Sequence, residues 1–102
     1  MLNVFLDDRR PNPPGYKLAR TAEEAIRYLR ARQVNTLSLD YDLSTHPVTG
    51  LDVVRFMVDR SIYPKRIIIH SANPFGRRRM LRMLLPSKPE SVAVTVQPLP
   101  WI

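Results

Sequence analysis

Three apolar stretches of strand length each end in residues with chemistry to offer. Residues 2–6 (LNVFL) run into Asp7 and Asp8, and residues 36–39 (TLSL) run into Asp40 and, past Tyr41, Asp42. Residues 66–69 (RIII) run into His70 and Ser71. Short runs this apolar read as buried strands, and RIII as a central parallel one. Segments with helical spacing separate them, which points to an α/β domain built on a parallel sheet. Ligands of such sheets bind at the carboxyl ends of the strands, where the strand order reverses. The fold therefore brings four carboxylates, an imidazole and a hydroxyl towards one edge.

The connecting segments support that order. "RRPNPPGY" holds Pro11, Pro13, Pro14 and Gly15 and excludes a regular helix. Residues 17–20 suit a short second strand. Thr21 reads as an N-cap, with Glu24 completing a capping box, and Ala22, Ala25, Ile26 and Leu29 fall at helical spacing over 22–32. A loop, "YDLSTHPVTG", precedes a helix over about 51–60 that buries Val54, Met57 and Val58. A basic helix spans about 75–85, "SVAVTV" closes the sheet and "QPLPWI" forms a tail. With no repeat, linker or low-complexity segment, residues 1–102 are expected to form one domain.

Composition narrows the classes. No run of about 18 apolar residues is present, so a membrane span is not expected. The start lacks a basic region and a cleavage site, and the chain has no cysteine for a disulfide or thiolate metal site. A cytoplasmic location is the resulting expectation. Lys and Arg number 16 against 9 Asp and Glu, a net charge of +7, and four of the acids lie in the two motifs. The remaining surface is basic, which suits a phosphate-containing small molecule or an RNA end, or serves solubility alone.

Clustered carboxylates raise one another's pKa, and a hard cation relieves them. Mg2+ (or Mn2+) takes oxygen ligands and keeps waters, which fits two or three carboxylates and a phosphate oxygen. Asp8 or Asp42 alone could instead cap a turn or pair with Arg9 or Arg10. His70 suits general acid or base work near neutral pH, or a partly buried role bonded to backbone. Ser71 and Asn73 can donate to phosphate oxygens. Arg77, Arg78 and Arg79 occupy the first turn of a helix, where the macrodipole disfavours cations, and a bound anion or a solvated face would account for them. Arg9 and Arg10 are similar candidates. Tyr16 and Trp101 read as core-closing aromatics, with base stacking a further possibility for Tyr16, and His46 reads as exposed.

These motifs resemble the response-regulator receiver fold, in which an acid pair and a phospho-accepting aspartate bind magnesium. Asp7, Asp8, Asp40 and Ser71 match that pattern. Gln97 stands where the receiver lysine belongs, the first helix is replaced by "RRPNPPG", and no final helix follows. A closer resemblance spans nearly the whole chain: "FLDDRRPNPPGY", "ARTAEEAIRYL", "LSLDYDL", "TGLDVVRFM" and "IIIHSANPFGRRRM" are similar to the cyclic-phosphate processing receiver domains. In that family a histidine usually lies between the two acids of the third motif, where this chain has Tyr41, and Ser44 replaces a usual glycine.

The resemblance implies a compact receiver-like (flavodoxin-like) three-layer sandwich lacking the first and last receiver helices. It implies metal-dependent hydrolysis of a cyclic phosphate on a cyclic nucleotide or RNA end. Asp7, Asp8 and Asp40 would hold the metal, and Asp40, Asp42 and His70 would be catalytic. Arg9, Arg10, Ser71, Asn73 and Arg77 would bind phosphate. A non-catalytic module that senses a phosphate ligand is the alternative, and a phospho-accepting receiver with Asp40 as acceptor is a third reading.

Overall fold

A computed structural model describes residues 1–44 and 47–97. Readings that concern His46, Trp101 and the segment 98–102 lie outside the described residues. Five parallel strands form one sheet: β1 (Leu2–Leu6), β2 (Tyr16–Ala19), β3 (Val34–Leu39), β4 (Arg66–Ile69) and β5 (Ala93–Val96), in the order β2-β1-β3-β4-β5. Three helices join them: α1 (Ala22–Arg30), α2 (Gly50–Arg60) and α3 (Pro74–Leu84). This is a receiver-like, flavodoxin-like arrangement. The order reverses at β1, so its carboxyl end and that of β3 flank the switch point where such folds bind ligands.

Each helix starts where its sequence supplies a cap. Thr21 accepts the Glu24 amide (3.1 Å), and Asn73 accepts the amides of Phe75 (3.0 Å) and Gly76 (3.1 Å), with Pro74 preset for the first turn. Thr49 and Asp52 form a reciprocal capping box, which starts α2 one residue ahead of its apolar spacing.

All three crossovers, β2–α1–β3, β3–α2–β4 and β4–α3–β5, step in the same direction across the sheet. Right-handed connections then place the helices on a single face, and α1 packs on α2 as α2 packs on α3. The described residues thus supply two of the three expected layers. The core lies between sheet and helices: Val4 and Leu6, Leu37 and Leu39, and Ile67 and Ile69 meet Ala25, Leu29, Val53, Val54, Met57, Met80 and Leu84.

The odd-numbered side of β1 faces away from the helices. Phe5 on that side is buried, stacks on His70 (centroids 4.4 Å apart, planes 7° apart) and meets Tyr16 edge-on at 6.3 Å. Tyr16 thereby closes a small aromatic cluster. No helix among the described residues is long and apolar enough to cross a membrane.

Candidate functional site

The strand carboxyl ends are joined by backbone hydrogen bonds that fix their register: Asp7 N–H donates to Ala19, Asp40 N–H to Leu6 and His70 N–H to Leu39. Asp7, Asp40 and His70 are brought together, each with a ligand atom within 4.8 Å of the others, and all three are buried. The proline-rich loop wraps Asp7. Its Oδ1 accepts the backbone N–H of Arg9 (2.9 Å) and Arg10 (2.8 Å). Its Oδ2 accepts Arg10 Nη1 (3.2 Å) and lies 3.1 Å from His70 Nε2. Burial pushes the Asp7 carboxyl up, but these donors outweigh it and hold its pKa below the usual value.

His70 is fully buried. Its pKa is pushed down to about 4, first by burial, which outweighs the opposing hydrogen bond and charge of Asp7. The ring is therefore neutral at physiological pH. An ionised carboxylate only accepts, so Nε2 carries the proton and donates to Asp7, and Nδ1 accepts the Ser38 hydroxyl at 2.7 Å. Both ring nitrogens are thus committed to protein groups, and the imidazole orients Asp7.

Asp40 is held differently. Its Oδ1 accepts Tyr41 N–H at 2.8 Å, and the Ser71 hydroxyl also bonds to it. Burial, then the charge of Asp7, raises its pKa despite these donors and the nearby Arg10. Arg10 Nη1 stands 3.7 Å from Asp40 Oδ2 as well as 3.2 Å from Asp7 Oδ2, so one guanidinium spans the two buried acids.

The outer acids go elsewhere. Asp8 Oδ2 accepts the Ser44 amide (2.9 Å) and hydroxyl, tying the β1 loop to the β3 loop. It stands outside the trio of converging ligand atoms. Asp42 is exposed and receives the Asn73 side-chain amide at 3.2 Å. Asn73 in turn caps α3, and its own N–H donates to the Ser71 hydroxyl oxygen at 3.2 Å. Arg77 Nη1 donates to the Ser71 carbonyl (2.9 Å), and among the described residues the Arg9 side chain has no carboxylate within ion-pair distance.

Several contributors carried no local motif. Ser38 lies two residues before Asp40 on the same side of β3, so strand alternation alone placed it near the site. Arg20 Nη1 donates to the carbonyls of Asp7 (3.3 Å) and Arg10 (3.2 Å) and braces the loop. Two glycines press on residues 40 and 41. A β-carbon at Gly50 would stand 2.0 Å from the Asp40 carbonyl oxygen, and one at Gly76 would stand 2.3 Å from Tyr41 Cγ. The Tyr41 ring is buried beneath the start of α3, and its hydroxyl accepts Arg79 Nη1 at 3.0 Å.

Two of the trio fit a divalent cation: the Asp7 and Asp40 carboxylates lie close enough to serve one ion, while the imidazole beside them is already bonded at both nitrogens. The Nε2–H bond to Asp7 leaves Asp7 and Asp40 as the ready oxygen donors. A pocket of about 520 Å³ lies away from the trio, by Met1, Val34, Tyr63 and Val92, near the opposite strand ends. A family model described as the cyclic-phosphate processing receiver domain matches residues 2–86. The comparison with curated proteins finds no match.

Proposed function

Because the chain belongs to the cyclic-phosphate processing receiver domain family, we propose that this site hydrolyses a cyclic phosphodiester on a nucleotide or RNA end with a divalent cation. The observation that carries the reading is the convergence of Asp7, Asp40 and His70 at the switch point, with the Arg10 guanidinium across the two acids. Asp7 and Asp40 hold the cation, Mg2+ or Mn2+, which when bound neutralises charge on the phosphate oxygens.

The chain's own residues supply the rest. His70 keeps Asp7 ionised and oriented. The Arg77 guanidinium and Arg9 or Arg10 contact non-bridging oxygens and stabilise the charge that builds as water adds to phosphorus, while the Ser71 hydroxyl holds Asp40. Asp42, exposed and oriented by Asn73, takes the proton from that water. One ring P–O bond breaks as the new P–O bond forms, and the departing alkoxide takes a proton from solvent. The product is a phosphomonoester.

The test incubates purified protein with cyclic nucleotides and with RNA ending in a 2′,3′-cyclic phosphate, with Mg2+, Mn2+ or EDTA. Mass spectrometry reads gain of one water, beside Asp40→Asn and Asp42→Asn. Metal-dependent turnover lost in both variants is expected. Turnover undiminished in Asp40→Asn would overturn the assignment.

One observation favours a capture-only reading. The Arg10 guanidinium already stands across the two inner acids and offsets part of their charge, which is enough to hold an anionic ligand beside them without a reaction. Retention of a cyclic-phosphate ligand with no product in any metal condition would select that reading.

A further inference from the structure

The three helices divide the chain's charge unequally. α1 carries Glu23 and Glu24 with Arg27 and Arg30, and α2 carries Asp52 and Asp59 with Arg55 and Arg60. Ion pairs form within each, Arg27 with Glu23 at 3.2 Å and Arg55 with Asp52 at 3.3 Å. α3 (PFGRRRMLRML) holds Arg77, Arg78, Arg79 and Arg82 and no acid. Among the described residues none of these four lies within ion-pair distance of a carboxylate. The sequence places Arg77, Arg78 and Arg79 in the first turn, but the helix begins at Pro74, so they are its fourth to sixth residues, where the macrodipole has little hold on them. Arg77 and Arg79 bond to the Ser71 carbonyl and the Tyr41 hydroxyl, and Arg78 and Arg82 are exposed.

The exposed face of α3 has a composition of its own. Phe75, Arg78, Arg79 and Arg82 recur every three or four residues and are all exposed, which aligns them over about 10 Å of helix. Phe75, 59% exposed, is a large ring left in solvent at the end nearest the acids, with the Arg79 guanidinium 5.6 Å from its centroid. Asn73 links that end to the site through Asp42 and Ser71. An aromatic face beside a row of guanidinium groups suits a single strand, where an unpaired base stacks and the phosphates follow the cations.

We propose that the exposed face of α3 is a track for single-stranded RNA, with Phe75 stacking a base near the reactive end and Arg78 and Arg82 contacting backbone phosphates. The substrate of the site is then an RNA end in preference to a free mononucleotide. This rests on the cyclic-phosphate reading for the identity of the end, and on α3 alone for the strand.

The probe is a fluorescein-labelled single-stranded RNA of about eight nucleotides, ending in a 2′,3′-cyclic phosphate, followed by anisotropy in EDTA. The same RNA ending in a 3′-hydroxyl, its duplex, a cyclic mononucleotide and phosphatidylserine vesicles serve as competitors. Arg78→Gln/Arg82→Gln is expected to lower the slope of log K against log salt by about 1.4, two contacts at about 0.7 each. Phe75→Ala is expected to weaken the single strand about tenfold and the duplex less. Unchanged thermal melts would confirm that these exposed substitutions leave the fold intact.

Affinity and salt slope that ignore both variants would overturn the track, as would a mononucleotide or the vesicles displacing the probe as well as RNA does. Equal binding of the 3′-hydroxyl RNA, still dependent on the arginines, would uphold the track while removing support for recognition of the cyclic phosphate. Turnover of cyclic phosphates with arginine-independent RNA affinity would remove the track alone.

Discussion

The two acidic motifs, "DD" at 7–8 and "DYD" at 40–42, look alike in sequence and divide alike in space. Each sends one carboxylate inward and one to the rim. Asp7 is fully buried under four donors, and Asp40 is buried against Tyr41 N–H and Ser71, with Arg10 across both. Asp8 and Asp42 instead reach to Ser44 and Asn73 at the edge of the site. The inner acids are held by the fold and share the Arg10 guanidinium. The outer acids meet only loop residues at the edge of the site. Burial thus divides neighbours in the chain, and stability measurements can separate them.

The largest contrast is expected at Asp7. Asp7→Ala leaves the amides of Arg9 and Arg10, the Arg10 guanidinium and the His70 N–H without their acceptor, and breaking a buried, hydrogen-bonded charge network costs about 3 kcal/mol or more. Asp8→Ala removes one exposed tie and should cost under about 1 kcal/mol. Urea unfolding of both variants measures the difference. Equal losses would break the division between inner and outer acids.

Acid should act on the inner half next. The folded pKa of His70, about 4, lies below its ordinary 6.5, so the unfolded chain binds the proton first. Stability is then full above pH 6.5 and falls as pH drops towards 4, by roughly 3 kcal/mol if His70 acts alone. Asp40 opposes this, since its raised pKa lets the folded state take up a proton ahead of the unfolded one. Asp7, with a lowered pKa, adds its own loss only below the usual carboxylate value of 3.8. The melting temperature of wild type should therefore drop between pH 6.5 and 4.5, and that of His70→Gln should drop less. Parallel pH profiles would show that the imidazole is not the group responsible.

Much of this was legible in the chain because it is local. The apolar runs, the caps at Thr21 and the prolines after Asp8 mark β1, α1 and the helix-free loop without reference to anything distant. The clustering of Asp7, Asp40, His70 and Ser71 followed from strand ends in a parallel sheet. The division between Asp40 and Asp42 did not, because one residue of register decides it. Nor did the partners of His70: Ser38 and Asp7 come from two other strands, and the imidazole's role depends on both. That the three described helices share one face of the sheet needed the strand order and crossover hand to become visible.

The glycines were silent in the sequence for the same reason. At Gly76 a methyl would meet the Tyr41 ring at 2.3 Å, near its rigid base, so Gly76→Ala is expected to cost about 1–3 kcal/mol through overpacking. Tyr41→Ala in the same chain removes the ring and leaves only its β-carbon, 2.7 Å from the methyl, so the double variant should be less destabilised than the two single losses combined. Strict additivity in urea unfolding would mean that α3 shifts to accommodate the methyl and that Tyr41 does not fix its position over the site.

The smallest stability effect, and the sharpest use of the comparison, lies at Asp42. Asp42→Asn keeps an oxygen for the Asn73 amide and changes an exposed side chain, so unfolding free energy should move by less than about 0.5 kcal/mol. On the hydrolytic reading the same variant loses about 100-fold or more in turnover, because the group that takes the proton from water is gone. Asp40→Asn is expected to lose turnover too, but its buried carboxylate also accepts the Tyr41 amide and lies beside Arg10, so its stability changes as well. A variant that leaves folding alone and removes turnover marks a group serving the reaction. If Asp42→Asn keeps full turnover, the outer acids are ties between loops, as Asp8 is to Ser44, and the proton must pass to a group on the inner side.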